Sequence, residues 1–513
     1  MSQVTPPSSS PPAPGRSFPP GAGWLSVLAL AVIIVGVSAI QVLPRFGPAS
    51  QPIAIQGVGP GAGGTGLGTT ALPSGVALAP GVVGGAAGQH GSIAKGPGVA
   101  TGGGAASAQS CNSTNNGGAT DTGVTATSIS LASTIVNSGV GQSFLGPVQY
   151  GMQAVVNRVN RGGGICGRHL NLTVVDDGWD AARGCSDIQS FIHDGAFALP
   201  VVPSSEGLKQ CIDSGVIHSA GIPVVGSDGM LFDQYQASSK ADWVWPVAAS
   251  TLSTMHIMAI DAYRNHNART FCLVYDSKYH FGIEGEQAFK AEIGRLGGKL
   301  TFEEGLDPDV TDYSGPVNDW NNNCGGVDFA GMLLEPDEAG RWLSDNPTLP
   351  KGKGGVAGAQ PMFSNSLTAN CGDICDGIKV FTGYRPVVDP AYSNLPSVVQ
   401  YENDVRAESS QADLTNQFLE GGYDGMLLVV QCLKAIGAHL TRAAVKAYLD
   451  STTFAADGNG LTQPLTWRPG NHFANVAMKA YVMVANSGRV TGYRPDSAGF
   501  ITDPNAGADA PSD

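Results

Sequence analysis

Apolar positions change period along residues 124–206 in a fixed order. Two-residue alternation over Ile129, Leu131 and Ser133 gives way to helical spacing over Met152, Val155, Val156 and Val159, then to further strands and helices separated by Gly-rich turns. Such alternation builds a parallel α/β sheet, and sheets of that kind hold ligands at the carboxyl ends of their strands. Beyond this stretch the pattern predicts strands at 197–202, 223–226, 270–275, 299–302, 327–334, 362–364, 378–381 and 477–484. Helices are expected at 149–159, 181–194, 206–214, 250–265, 283–296, 314–322, 336–345, 425–438 and 442–451.

The N-terminal 110 residues follow another pattern. Residues 24–43, WLSVLALAVIIVGVSAIQVL, carry no charge, and 20 residues at ~1.5 Å rise cover ~30 Å, the thickness of a bilayer core. The segment is either an uncleaved transmembrane anchor, the favoured reading, or a long signal segment cut near Val37-Ser38-Ala39. Residues 1–23, rich in Pro and Ser, read as a disordered cytoplasmic stub, and 44–110 as a flexible Gly/Ala/Pro linker. The chain from 111 to 503 reads as the folded part, followed by a disordered tail at 504–513. Both readings of the apolar segment place the fold outside the cytoplasm, as a single-pass anchored domain or a secreted one.

Charge narrows the class of partner. The net charge is -14, and the first 110 residues hold only Arg16, Arg45 and Lys95, so the fold is distinctly acidic. Nucleic acid requires a basic footprint and is excluded as a partner. The nine cysteines lack zinc-ribbon spacing and suit disulfides in an oxidising compartment. No G-x-S-x-G elbow, H-E-x-x-H pair or G-x-x-x-x-G-K-[ST] loop occurs, and histidines are scattered singly; no enzyme, metal or cofactor is expected.

The order of phrases NRGGGICGRHLNLTVVDDGWD, ALPVVPSS, SAGIPVVGSD, FCLVYDSKYHFGIEGEQAFKAEI, DYS, VDFAGMLLEP and GGYDGMLLVVQCLKAIG resembles substrate-binding proteins of branched-chain amino acid ABC transporters, the leucine/isoleucine/valine-binding type. The resemblance covers residues 124–493. It implies two doubly wound lobes in a type I periplasmic binding protein clamshell, lobe 1 at about 124–248 and 384–460 and lobe 2 at about 249–383 and 461–500. A small polar ligand, such as a branched-chain amino acid or an amide, would be held by closure of the lobes and delivered to ABC permease subunits in the membrane. The alternative is a membrane-anchored sensor that reports occupancy without transport.

The same resemblance places ligand contacts. Gln142, Ser143 and Phe144 lie in the first lobe 1 loop. Ser204 and Ser205 precede a helix and suit a carboxylate, or serve as an ordinary N-cap. Ser227 and Asp228 follow a strand where relatives meet an amine, and Tyr279 and Phe281 offer aromatics from lobe 2. The family's ammonium-binding acid would precede its D-[FY]-S phrase, but Val310 holds that spacing here and Asp309 stands one position early. Tyr423 and Asp424 open the helix expected at 425–438 and are either hinge-side contacts or a cap and core aromatic; Trp179 is either core or lid. Disulfide candidates are Cys185 with Cys211, Cys272 with Cys324, and Cys371 with Cys375, connectivity being open in sequence; Cys432 is the candidate free thiol.

Overall fold

The structure is a computed structural model of the full chain, and it describes residues 111–236, 240–350, 352–454 and 460–511. The stub, apolar segment and linker expected within 1–110 lie outside the described residues. Among the described residues no helix is long and apolar enough to cross a membrane.

Two sheets organise the fold. The first half runs β1 (Ser128–Ile135), α1 (Gln142–Leu145), α2 (Val148–Arg161), β2 (His169–Asp176), α3 (Ala181–His193), β3 (Leu199–Pro200), α4 (Ser205–Asp213), α5 (Val216–Ala220), β4 (Val224–Ser227) and β5 (Val244–Pro246). Its strands pair in parallel, β1 with β2 and β3-β4-β5 in order, and a Leu131–Ala198 bridge joins the two groups, so the order is β2-β1-β3-β4-β5. The second half runs α6 (Thr251–Ile260), β6 (Thr270–Asp276), α7 (His280–Leu296), β7 (Lys299–Leu306), α8 (Ser314–Cys324), β8 (Phe329–Leu333), α9 (Pro336–Ser344), β9 (Gly355–Gly358), α10 (Asn365–Thr368) and β10 (Lys379–Thr382). Here the order β7-β6-β8-β9-β10 repeats the first. Both are doubly wound, with a switch point beside the first strand of each half, where ligands bind.

The chain then returns to the first sheet through α11 (Pro396–Glu408), α12 (Gln417–Ile436) and α13 (Arg442–Leu449), passes the hairpin β11 (Thr453–Phe454) and β12 (Leu465–Thr466), and rejoins the second sheet as β13 (Ala477–Ala485), β14 (Val490–Pro495) and β15 (Ile501–Thr502). Strand β13 is antiparallel to β10 and β14. The passages between sheets are tied to one another by bridges Ala249–Asn475 and Tyr384–Thr462. Two glycine contacts fix α12 against the first half. A Cβ on Gly226, whose φ is +72°, would sit 2.3 Å from Gly425 Cα, and one on Gly421 would sit 2.2 Å from the Asp228 carboxyl.

Several expectations are corrected. The strand expected at 362–364 is absent; a 3-10 turn spans Gln360–Met362, where Pro361 lacks the N–H a strand ladder needs, and the strand lies at β9. Helix α12 begins eight residues before 425, capped by Asn416 Oδ1 accepting from the Phe418 and Leu419 N–H groups. Tyr423 and Asp424 therefore lie inside a helix and do not open one. Residues 504–511 are docked: Asp509 pairs with Arg295 at 2.6 Å, and Asn505 Nδ2 donates to Glu292 Oε2 at 2.8 Å.

Disulfides join Cys185 to Cys211, Cys272 to Cys324, Cys371 to Cys375, and Cys111 to Cys166. The last pair, which sequence left unassigned, ties the start of the described chain to the first half. Arg168, fully buried, reinforces this by donating to the Thr125 and Gly118 carbonyls at 2.8 and 2.9 Å. Cys432 is free and buried.

Candidate functional site

The carboxyl ends of β1, β3, β4 and β6 converge on one cleft between the halves. After β3 the backbone enters the left-handed region at two β-branched residues, Val201 (φ 68°) and Val202 (φ 38°). That conformation costs on the order of 1–3 kcal/mol per residue, and the surrounding structure holds it where it turns Pro203, Ser204 and Ser205 toward the cleft. Trp179, after β2, also has positive φ, 65°. Its strained turn is held by the Asp177 carboxylate accepting the Trp179 N–H at 2.9 Å.

Trp179 is the bridge between the halves. Its indole stacks on the Tyr279 ring at 4.1 Å and 11°, and lies 6.1 Å from the Phe281 ring. Tyr279 and His280 start α7, which is positioned because Asp276, ending β6, accepts the Lys278 and Tyr279 N–H groups at 2.7 and 2.9 Å. Polar clasps surround the stack. Glu206 accepts the His280 N–H at 2.9 Å and meets its Nδ1 at 2.6 Å. Ser143 Oγ donates to Asp337 Oδ2 at 2.7 Å, and Glu284 Oε2 accepts the Phe232 N–H at 2.9 Å.

Inside this ring lies a cavity walled by Phe144, Trp179, Phe281 and Phe418, with Ser205, Asp228 and Met230 as its polar and flexible side. Its volume is about 20 Å3, room for roughly one water. The halves are thus drawn together in this conformation, and a ligand larger than water enters only if they part. Larger grooves of about 860 and 400 Å3 flank the clasps, one beside Glu206 and His280 and the other beside Ser143 and Asp337.

The expected contacts divide. Phe144, Ser205, Asp228 and Phe281 line the cavity, and Tyr279 covers it through Trp179. Ser204 is fully buried and makes no side-chain cap; its hydroxyl lies beside Asp177, whose carboxyl is pushed up by burial. Ser143 clasps the second half, and Gln142 lies in the outer groove. Ser227 turns inward, its hydroxyl 3.2 Å from Gln234 Oε1. Asp309 is not brought to the cavity: it is exposed and pairs with Lys278 at 2.7 Å. Tyr423 also points elsewhere, donating to Asp404 Oδ2 at 2.8 Å and packing on Tyr401. Asp424 accepts the Leu461 and Thr462 N–H groups, tying α12 to a passage between the halves.

Sequence reading missed Trp179 as the bridge, and Met230, Gln360, Gln417 and Phe418 altogether. The signal for Phe418 is hidden in sequence because the expected helix begins only at 425, eight residues after the observed start. Gln360 and Gln417 converge on Met230, their Nε2 atoms 3.8 and 3.4 Å from its sulfur. Behind Asp228, whose Oδ1 accepts from Tyr384 at 3.1 Å, lies Glu420, fully buried. Burial pushes both carboxyls well above the ordinary range.

Residues 128–489 match the family described as periplasmic binding protein. No curated protein matches the chain. Among solved structures, the fatty acid ABC transporter substrate-binding protein from Thermomonospora curvata is 17% identical with a TM-score of 0.62, covering 75% of this chain and 95% of that one. The branched-chain amino acid transporter substrate binding protein LivJ from Streptococcus pneumoniae, in complex with isoleucine, is 16% identical with a TM-score of 0.58, covering 72% and 99%. A solute binding protein of an ABC transporter from R. palustris, in complex with benzoate, is 16% identical with a TM-score of 0.59, covering 74% and 98%. At such identities the likeness is one of fold, and it agrees with the repeated strand order and the cleft. The chain belongs to the periplasmic binding protein family and has the type I fold of its leucine/isoleucine/valine-binding members.

Proposed function

We propose that the protein is the extracytoplasmic solute-binding component of an ABC importer, capturing a small molecule by closure of its two halves and presenting the closed form to permease subunits. The observation that carries this reading is the Trp179–Tyr279 stack at 4.1 Å, which joins the halves directly over an aromatic cavity. An aromatic pair of this kind contributes about 0.5–1.5 kcal/mol beyond its buried area, enough to shift an opening equilibrium several-fold without locking it.

The cavity suits a ligand with a compact apolar body, branched or aromatic, against Phe144, Phe281 and Phe418, and a polar head toward Asp228. Branched-chain amino acids and amides have that build. Four disulfides fit a fold that works in an oxidising compartment.

A thermal-shift screen of residues 111–513 against amino acids, amides, amines, ureas and organic acids tests the reading. A compound at 100 times its Kd adds about 2.7 kcal/mol of stability. Phe281→Ala is expected to abolish the shift from any true cleft ligand while the protein still melts cooperatively; a shift that survives Phe281→Ala rules out the cleft as its source.

A further inference from the structure

Hydrogen-bond bookkeeping on the cavity's polar side is lopsided. Asp228 Oδ2, both carboxyl oxygens of Glu420, and the Oε1 atoms of Gln360 and Gln417 have no donor among the described residues. All four side chains are at most 2% exposed. Buried polar atoms are nearly always paired, so five acceptors without donors on one wall are an unmet demand. The demand reaches the cavity itself, because Asp228 lines it and Met230, against which both glutamine amides pack, lines it as well. A thioether is a weak acceptor on a flexible side chain, easily displaced by a better partner.

Charge points the same way. No Lys, Arg or His lies within ion-pair distance of Asp228 or Glu420 among the described residues, although the Asp228 carboxyl rests directly on the α12 backbone at Gly421, beside Glu420. The helix end expected to receive a ligand carboxylate is itself acidic, with Asp177 beside Ser204 and Glu206 in the first turn of α4. The faces of Trp179, Phe144 and Phe281 are attractive to a cation and indifferent to an anion.

Resting on the cleft reading above, the geometry points to a ligand that is an organic cation without a carboxylate: an ammonium or guanidinium head on a branched or aromatic body. The head displaces Met230 and donates to Asp228, Gln360 and Gln417, with Glu420 supplying charge behind them. This departs from an α-amino acid, whose carboxylate would meet acids at α4. Burial raises both carboxyls, so a cation seated beside them favours their ionised forms.

The test compares matched probes by isothermal titration at pH 7: benzylamine and isopentylamine against benzyl alcohol, isopentanol, benzoate, isovalerate, L-phenylalanine and L-leucine. The expected result is that an amine binds at least ten-fold more tightly than its alcohol, acid and amino acid counterparts. Glu420→Gln, which keeps the side-chain shape, is expected to weaken the amine at least ten-fold and the alcohol less than three-fold; Asp228→Asn gives the same pattern. The inference is overturned if no amine binds, if an acid or amino acid binds as tightly, or if Glu420→Gln leaves amine affinity unchanged. Tight binding of a neutral or acidic probe that is lost in Phe281→Ala would overturn the cation while sparing the cleft, whereas binding of no probe sensitive to Phe281→Ala would remove both.

Discussion

Single residues carry the closure. Trp179 was open between core and lid in the sequence, since an aromatic after D-D-G reads either way; only the positive φ and the Tyr279 stack decide it. Trp179→Ala is expected to leave folding intact and to weaken any cleft ligand about ten-fold, mainly through faster release, which stopped-flow displacement measures. Acids near the cleft govern pH dependence. Burial raises Glu284 to about 8, against an ordinary value near 4.5. Between those values the unfolded chain has lost the proton that the folded chain keeps, so stability falls as pH rises, by at most ~1.4 kcal/mol per pH unit for this group. Urea unfolding from pH 5 to 8 is expected to show that decline, and Glu284→Gln to make it shallower, the remainder coming from other buried acids such as Glu335 and Asp424, raised to about 8 and about 7. Asp309, singled out from its place near Asp312, shows the limit of spacing arguments: one loop residue's difference sends a carboxylate to Lys278 and solvent.

At the level of elements, strands and helices of the two α/β halves were legible because each is long enough for its period to show. The failures have local causes. Gly421 and Gly422 lower helix propensity and masked the first turns of α12, yet they are there for packing: Gly422 lies against the Val148 carbonyl and Gly421 against Asp228. Gly421→Ala is expected to cost about 1–3 kcal/mol in chemical denaturation, because the new methyl meets a carboxyl anchored by Tyr384. The short strand β5 carries too few residues for any pattern. The docked tail was unreadable because its anchors, Arg295 and His256, are more than 200 residues away in the chain.

For the whole molecule, the repeated strand order and its switch points explain why the site collects residues from loops far apart in sequence. Phrase order sufficed to place the clamshell, since several phrases, ALPVVPSS, SAGIPVVGSD and FCLVYDSKYHFG among them, run through a strand into the loop at its carboxyl end. It could not supply the chemistry of the wall, because Gln360, Gln417 and Glu420 become neighbours of Asp228 only once the passages between the halves bring α12 beside β4. The most direct test of the account is a crystal structure with the tightest binder from the screen. The account predicts the ligand between Phe144, Trp179 and Phe281, with its polar head within hydrogen-bond distance of Asp228. Density for the ligand anywhere outside that cleft, or a bound cleft with the two halves unmoved from an open form, would contradict it.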